Sequence, residues 1–286
     1  MQTENLFYDS GRPGRRLLVF GAIHGNEPAG TQAIRRVMKK IEEGELPLVQ
    51  GSVRLVPICN PKAYEQKARF FKENLNRVFR KTTTPSSYEA HLANGLCELM
   101  EREADIFLDL HSTHAPGPVT VFLDFPTAEN ELFAAALGAT YALLGWPAVY
   151  EHNAHGFDSY DTTRYAHVLG IPGIIIECGQ HDDPQTVVHA EAALIRTLAH
   201  AGIIDSPQEP LPPPIRVRIK LLEKKIDAED AFSQGWGHLD RIESGTEIAT
   251  RANGERIVAQ ENCVILLPKH YAKAGDEWFY LGVIES

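Results

Sequence analysis

The chain has 286 residues, of which 43% are hydrophobic and 23% are charged. This length and composition are typical of a globular protein with one large or two smaller domains and a sizeable buried core. The formal net charge of -10 disfavours nucleic acid or an anionic membrane surface as a partner, because both attract clustered lysine and arginine side chains.

Membrane and disulfide signals are absent from the sequence. No segment approaches the roughly 20 apolar residues that cross a bilayer. The first 14 residues are polar and lack the apolar core of a secretory signal. The four cysteines are widely spaced, without a Cys-x-x-Cys pair. We therefore expect reduced thiols in a cytoplasmic protein rather than a disulfide framework or a cysteine-based zinc site.

Strand and helix patterns alternate from residue 15 to about residue 204. Apolar runs predict buried strands at 17–20, 53–59, 106–110, 119–123 and 173–178. Amphipathic segments predict helices at 29–43, 88–103, 128–144, 161–169 and 184–201. This alternation predicts an α/β fold, in which a mostly parallel mixed sheet is covered by helices on both faces.

A proline-rich segment separates this pattern from a different one. Residues 207–214 contain five prolines, which cannot continue a helix or donate to a central strand. Apolar and charged residues then alternate over 215–221, as in a half-exposed strand. Further short strands are predicted at 247–250, 256–259, 263–267 and 278–283. We therefore predict a first domain over 1–207 and a small, mainly β domain over 208–286.

Three residues at the ends of predicted strands have the chemistry of zinc ligands. His24 and Glu27 lie three residues apart after the first predicted strand, and His111 follows the third. Ligands of open α/β sheets bind at this carboxyl edge. Imidazole and carboxylate are good zinc ligands, and three protein ligands leave a position open for water, as in catalytic sites. Asp109 or a backbone carbonyl would orient a ligating imidazole.

Other side chains are suited to acid–base catalysis and substrate binding. Glu177 ends a strongly apolar strand, where a lone carboxylate is costly unless it is paired or functional. Beside a metal it would accept the proton of a water and deliver it to a leaving amine. Arg77 offers a planar fork for a carboxylate, with Asn76 beside it, and Arg69 is suited to polarising a scissile carbonyl.

The motifs resemble those of the aspartoacylase/succinylglutamate desuccinylase family, which are zinc-dependent deacylases with a carboxypeptidase-like fold. The resemblance covers about residues 15–200 and rests on His24-Gly-Asn-Glu27-Pro, Asn74-Leu-Asn76-Arg77, Asp109-Leu-His111 and Glu177-Cys-Gly179. It implies that His24, Glu27 and His111 bind one zinc ion and that Glu177 is the catalytic base.

The resemblance also implies a set of substrate contacts. Arg69 resembles the family's carbonyl-polarising arginine, and Asn76 and Arg77 resemble its α-carboxylate clamp. Arg164 resembles the arginine that grips the substrate's side-chain carboxylate in aspartoacylases. Tyr271 resembles a tyrosine that the C-terminal domain adds to the aspartoacylase pocket.

One position departs from the family pattern. Asn74 stands where the family often has aspartate. An amide lacks the charge with which a carboxylate holds a cation or a histidine, so the change bears on the support of the clamp and on the preferred substrate. It leaves the three metal ligands unchanged.

These residues predict a zinc-dependent amidohydrolase that cleaves the linear amide of a small N-acyl amino acid. A carboxypeptidase or cell-wall peptide amidase on the same fold is one alternative, and a non-catalytic zinc-binding relative is another. The expected partner is the small-molecule substrate, not nucleic acid or a membrane. The sequence leaves the acyl group, the amino acid and a homo-oligomer open.

Overall fold

The structure is a computed structural model that describes residues 3–151, 160–207, 209 and 211–285. Up to residue 207 the elements are β1 (Leu6–Asp9), β2 (Arg16–Gly21), α1 (Pro28–Glu42), β3 (Ser52–Val56), α2 (Pro61–Glu65), a 3-10 turn (Leu75–Arg77), α3 (Tyr88–Glu103), β4 (Ile106–Thr113), β5 (Thr120–Phe122), α4 (Ala128–Ala136), β6 (Tyr141–Leu144), α5 (Trp146–Glu151), α6 (Thr162–Val168), β7 (Gly173–Gln180) and α7 (Pro184–His200). After residue 207 they are β8 (Ile215–Lys224), β9 (Ala231–Phe232), β10 (Arg241–Ile242), β11 (Glu247–Thr250), β12 (Arg256–Val258), β13 (Cys263–Leu266) and β14 (Glu277–Ile284).

A mixed sheet of 11 strands runs through the molecule in the order β1-β3-β2-β4-β7-β5-β6-β8-β14-β13-β10. The strands β3, β2, β4 and β7 are parallel neighbours, whereas β5 pairs with β7 in the antiparallel direction. A second sheet contains β12, β11 and β9. The predicted α/β fold with a mixed sheet is confirmed.

Alternate residues of β2 show how helices cover both faces of the sheet. Leu17 and Val19 belong to one apolar cluster, together with residues of α1 and α7. Leu18 and Phe20 belong to another, together with residues of α3 and α6. All four side chains are fully buried. This two-sided burial explains why the sequence of β2 is an uninterrupted apolar run rather than an alternating one.

The second half of the predicted helix at 128–144 is wrong. Helix α4 ends at Ala136, and Gly138 then adopts a φ of +77°, a left-handed conformation that glycine tolerates and that often ends helices. The chain continues into β6, which pairs with β5 and β8. A short apolar run does not distinguish a buried strand from a buried helical segment. The apolar run that forms β6 was therefore predicted as part of the helix.

The region after residue 207 is mainly β, as predicted. Its strand β8 pairs in parallel with β6 and in antiparallel with β14, so the large sheet continues into this region. The division into domains at 1–207 and 208–286 stays a prediction. Among the described residues, no helix combines the length and the apolar character needed to span a membrane.

Candidate active site

Three neighbouring parallel strands bring the predicted site residues to one edge of the sheet. His24 and Glu27 lie in the loop between β2 and α1, while His111 and Glu177 lie in β4 and β7. His111 and Glu177 are direct register partners. Because β2, β4 and β7 are adjacent, residues separated by up to 153 positions in the chain (177 − 24) meet at their carboxyl ends.

The loop after β2 is packed too closely for any side chain at Gly25. A Cβ atom there would overlap the backbone of Ala63 in α2. The loop also bends back on itself, because the Glu27 amide donates to the His24 carbonyl at 3.2 Å. This tight packing fixes the two side chains relative to each other.

His24, Glu27 and His111 form a buried cluster in which one ligand atom of each lies within 4.8 Å of the other two. The Nδ1 atoms of His24 and His111 each lie 2.9 Å from a different oxygen of Glu27. His24 Nδ1 has no hydrogen-bond partner among the described residues, despite this short distance. His111 Nδ1, in contrast, is hydrogen-bonded to Glu27 Oε2 at 2.9 Å. A buried nitrogen without a partner that faces two further ligand groups fits a metal ion.

The outer nitrogens of the two histidines are held by oxygen acceptors. His24 Nε2 lies 3.1 Å from Asn74 Oδ1, and His111 Nε2 lies 3.1 Å from Asp109 Oδ2. Thr162 donates to the same Asp109 oxygen at 2.7 Å. When Nε2 carries the proton in each ring, Nδ1 is left with its lone pair toward Glu27, the arrangement that a metal-binding histidine needs.

Burial and neighbouring charges favour the protonation states of metal ligands at His24 and Glu27. Burial, with a further contribution from Arg69, lowers the pKa of His24 to about 3. Burial opposes ionisation of Glu27, but its contacts with the imidazoles of His24 and His111 outweigh it and hold the pKa of Glu27 well below its usual range. Burial would lower the pKa of His111, but Asp109 and Glu27 raise it well above its usual value, so a metal bound there would displace a proton. A neutral imidazole and an ionised carboxylate are the forms that bind zinc.

Glu177 lies beside this cluster as a buried carboxylate. Its Oε2 atom has no hydrogen-bond partner among the described residues. Burial, and then the charge of Glu27, raise the pKa of Glu177 to about 8. The carboxyl group is therefore arranged to exchange a proton rather than to form a permanent ion pair.

The arginine candidates line the approach to the cluster. Arg69 lies 3.3 Å from Glu27 Oε1. Arg77 donates to the Asn76 carbonyl at 3.0 Å and lies 3.0 Å from Glu277 Oε1. Lys269 lies 2.9 Å from the other oxygen of Glu277. No local pattern in the sequence pointed to Lys269 and Glu277, because they come from the region after residue 207 and belong to no recognisable motif.

Two cavities meet at the candidate site. The inner pocket, of about 60 Å³, lies against His24, His111 and Glu177. The outer cavity, of about 520 Å³, opens beyond it and includes the side chain of Lys269 in its wall. Arg69 and Arg77 line both cavities.

The remaining two predicted substrate residues lie farther out. The Arg164 guanidinium packs over the ring of Tyr160, at 4.7 Å from the ring centroid, and its side chain is half-buried. Tyr271 lines the outer cavity with 93% of its surface exposed. Their roles in substrate binding stay predictions.

Comparison with known proteins identifies the family. The model of the succinylglutamate desuccinylase/aspartoacylase catalytic domain matches residues 13–201, which is more than half of the chain. The chain belongs to this family. The matched region contains the metal-site cluster, Glu177 and both pocket arginines, whereas the region after residue 207 lies outside it.

Individual relatives of the family are distant. A succinylglutamate desuccinylase of Pseudomonas paraeruginosa is 29% identical over 179 residues, covering 58% of this chain and 51% of the relative. A human N-acyl-aromatic-L-amino acid amidohydrolase (carboxylate-forming) is 29% identical over 210 residues, covering 68% of this chain and 61% of the relative. The chain thus spans about half the length of the first of these relatives.

Solved structures of the family share the whole fold. A succinylglutamate desuccinylase from Silicibacter superposes with a TM-score of 0.76 at 18% identity, covering 99% of this chain and 89% of that one. The likeness therefore extends through the region after residue 207. At this level of identity it concerns the fold alone.

Proposed function

We propose that the chain is a zinc-dependent amidohydrolase that releases the amino acid from a small N-acyl amino acid. The observation that carries this proposal is the buried convergence of His24, Glu27 and His111. Beside them lies Glu177, whose Oε2 atom has no hydrogen-bond partner in the described part of the chain. Membership of a family with deacylase relatives supports the same chemistry. The four free cysteines are consistent with a reducing cytoplasm as the proposed compartment.

His24, Glu27 and His111 are the residues that would hold the metal. A zinc ion bound there would supply Lewis acidity, which polarises a carbonyl and makes a water more acidic. Asn74 and Asp109 contact the Nε2 atoms of the two imidazole rings and would hold these rings in place for such an ion. Such supporting contacts typically change metal affinity by about 10- to 100-fold when they are lost.

Glu177 carries the proton through the reaction. It accepts a proton from the attacking water while the water oxygen bonds to the amide carbon. It then transfers this proton to the nitrogen as the carbon–nitrogen bond breaks. The released amine takes up the second proton of the water from the new carboxyl group, so the products are a carboxylate and an ammonium group. Arg69 stabilises the negative charge that develops on the carbonyl oxygen.

Asn76 and Arg77 are proposed to bind the carboxylate of the amino-acid half. Arg77 already lies 3.0 Å from the carboxylate of Glu277, so binding would exchange one carboxylate partner for another. Fixing the substrate at its carboxylate turns the attack on the amide into an oriented, nearly unimolecular step.

A hydrolysis screen with zinc-loaded protein tests the proposal. We expect turnover of N-acetyl or N-succinyl amino acids and little turnover of short peptides with a free amino terminus. Preferential cleavage of such peptides would instead support a carboxypeptidase or peptide amidase. A zinc-replete protein that is inert on the whole panel would support a non-catalytic relative and contradict the proposal.

A further inference from the structure

Two carboxylates of the inner pocket have no part in the mechanism above. Asp124 follows β5, and Asp161 is the residue that precedes and caps α6. Both line the pocket together with Glu177. Three carboxyl groups therefore share the wall of a cavity of about 60 Å³, although the proposed reaction uses only Glu177.

Neutral groups hold these two carboxylates in place. Asp161 Oδ1 accepts hydrogen bonds from the Arg164 amide and the Thr163 hydroxyl, both at 2.8 Å. Asp124 Oδ1 accepts a hydrogen bond from the Trp146 amide at 2.8 Å. Such bonds orient a carboxylate and stabilise its charge, but they do not neutralise it.

The arginines of the pocket are engaged with other carboxylates. Arg69 lies 3.3 Å from Glu27, and Arg77 lies 3.0 Å from Glu277. Burial raises the pKa of Asp161, although Arg77 and hydrogen bonds partly oppose this effect. Burial, together with the charge of Asp161, raises the pKa of Asp124 well above its usual range. A cationic ligand would offset the cost of ionising both groups in this environment.

The rest of the pocket wall suits the methylene chain of a ligand that ends in a cationic group. Phe122, Trp146, Ile175 and Leu267 contribute apolar surface, and aromatic faces also attract cations. The Oδ1 atom of Asn76 lines the same pocket as a buried acceptor without a partner among the described residues. Each of these features favours a ligand that donates hydrogen bonds rather than one that accepts them.

We propose that the amino-acid half of the substrate has a short side chain ending in an ammonium group, which Asp124 and Asp161 bind. The inference rests on the deacylase function proposed above. The small volume of the pocket limits the side chain to a few methylene groups, which pack against Phe122 and Trp146. The same two groups offer no cationic partner to the carboxylate side chains of N-acyl aspartate and N-acyl glutamate, which we therefore expect to bind poorly here.

Substrates of matched shape test the proposal. With the acyl group kept constant, kcat/KM is compared for the Nα-acyl derivatives of 2,4-diaminobutyrate, ornithine, norleucine and glutamate. Norleucine is the uncharged isostere of ornithine. We expect one of the two diamino acids to exceed norleucine by about tenfold or more, the usual scale of a hydrogen bond to a charged group. Glutamate should be the poorest substrate.

Two variants test the assigned residues. Asp161→Asn keeps a good helix cap but removes the charge, and Asp124→Asn does the same beside Trp146. We expect each to lower the ratio of kcat/KM for the ammonium derivative to kcat/KM for the norleucine derivative toward one. Asp183→Asn is the matched control, since Asp183 caps α7 through the Gln185 amide at 2.8 Å and is not a wall residue of the inner pocket.

Calorimetry separates failure of this inference from failure of the proposed function. Free ornithine, diaminobutyrate and norleucine are titrated into the zinc-loaded protein, whether or not any substrate turns over. Tighter binding of a diamino acid, lost in the aspartate variants but not in the control, supports the inference. Equal binding of the three amino acids, or preferential hydrolysis of the glutamate derivative, overturns it.

Discussion

At the scale of single residues, Asn74 and Asp109 show how neutral and charged acceptors perform the same task. Each contacts the Nε2 atom of a histidine at 3.1 Å, so both rings present Nδ1 to Glu27. Asn74 thus makes this contact through an amide oxygen, which carries no net charge. We expect this amide to make the ligating imidazole of His24 less basic than an aspartate would.

Glu177→Gln tests the proton-transfer residue. The amide keeps the size of the side chain but cannot accept a proton from water. We expect zinc binding to persist while kcat falls by about 10²-fold or more, the usual scale of general acid–base catalysis. Metal content and turnover are measured together, with Glu45→Gln at an exposed position as the control. Turnover close to that of the unmodified protein would remove Glu177 from the mechanism.

The meeting of the predicted metal ligands and Glu177 at one edge of the sheet was predictable because their signal is local, whereas the position of the pocket aspartates was not. Each of these four residues follows or ends an apolar strand: His24, Glu27, His111 and Glu177. A charged side chain is costly at such a position unless it is paired or functional. Asp161 looks like an ordinary helix cap in the sequence, and it is one. Its proposed role in binding an ammonium group depends on which cavity lies beside the start of α6. Tertiary packing determines this position, and no local sequence pattern reports it.

At the scale of elements, the loop between β2 and α1 depends on close backbone packing. Gly25 contacts Ala63 so closely that no Cβ atom fits, and Pro28 begins α1 directly after Glu27. The sequence predicted the strand and the helix well, because both have strong apolar periodicity. It did not reveal the short helix α2 against which the loop packs, since five residues are too few for a periodic pattern.

Gly25→Ala tests the role of this packing. The added methyl group must displace backbone, so we expect a loss of about 1 to 3 kcal/mol in unfolding free energy and weaker zinc binding. Gly95→Ala in α3 is the matched control, because nothing lies within 4 Å of the added methyl group. There we expect a gain of about 0.5 to 1 kcal/mol. Denaturant titration measures the free energy of unfolding of both variants. An unchanged free energy for Gly25→Ala would show that the loop can move to accommodate the methyl group.

At the scale of the whole molecule, the region after residue 207 continues the sheet and contributes to the site. Strand β8 extends the sheet beyond β6, and Lys269 and Glu277 line the outer cavity. The sequence predicted a separate β region from its alternation and prolines. It gave no indication that this region would share one sheet with the first, because strand pairing between distant segments leaves no local pattern.

His238 links this region to the segment before β5 and makes the link sensitive to acid. Its amide donates to the Pro116 carbonyl at 2.7 Å, and its Nδ1 accepts from the Leu267 amide at 3.0 Å. Burial lowers the pKa of His238 to about 3, whereas an unfolded histidine has a pKa of about 6.5. The unfolded state therefore takes up a proton first as the pH falls.

We expect this difference to destabilise the fold on acidification. The contribution of His238 is fully present above pH 6.5 and is lost toward pH 3, by up to about 1.4 kcal/mol per pH unit. His238→Asn removes the titrating group and retains an acceptor. The free energies of unfolding of both proteins, measured between pH 7.5 and 4.5, should therefore converge as the pH falls. A difference in unfolding free energy between the two proteins that does not change with pH would contradict the lowered pKa of His238.

Zinc titration of the metal-free protein shows whether hydrolysis depends on a metal bound at His24, Glu27 and His111. Bound zinc and the rate of N-acyl amino acid hydrolysis are measured in the same samples, for the unmodified protein and for His111→Ala. We predict that zinc and rate rise together and saturate at one ion per chain, and that the variant binds zinc far more weakly. Hydrolysis that is independent of zinc, or normal zinc affinity without the His111 imidazole, would contradict the account.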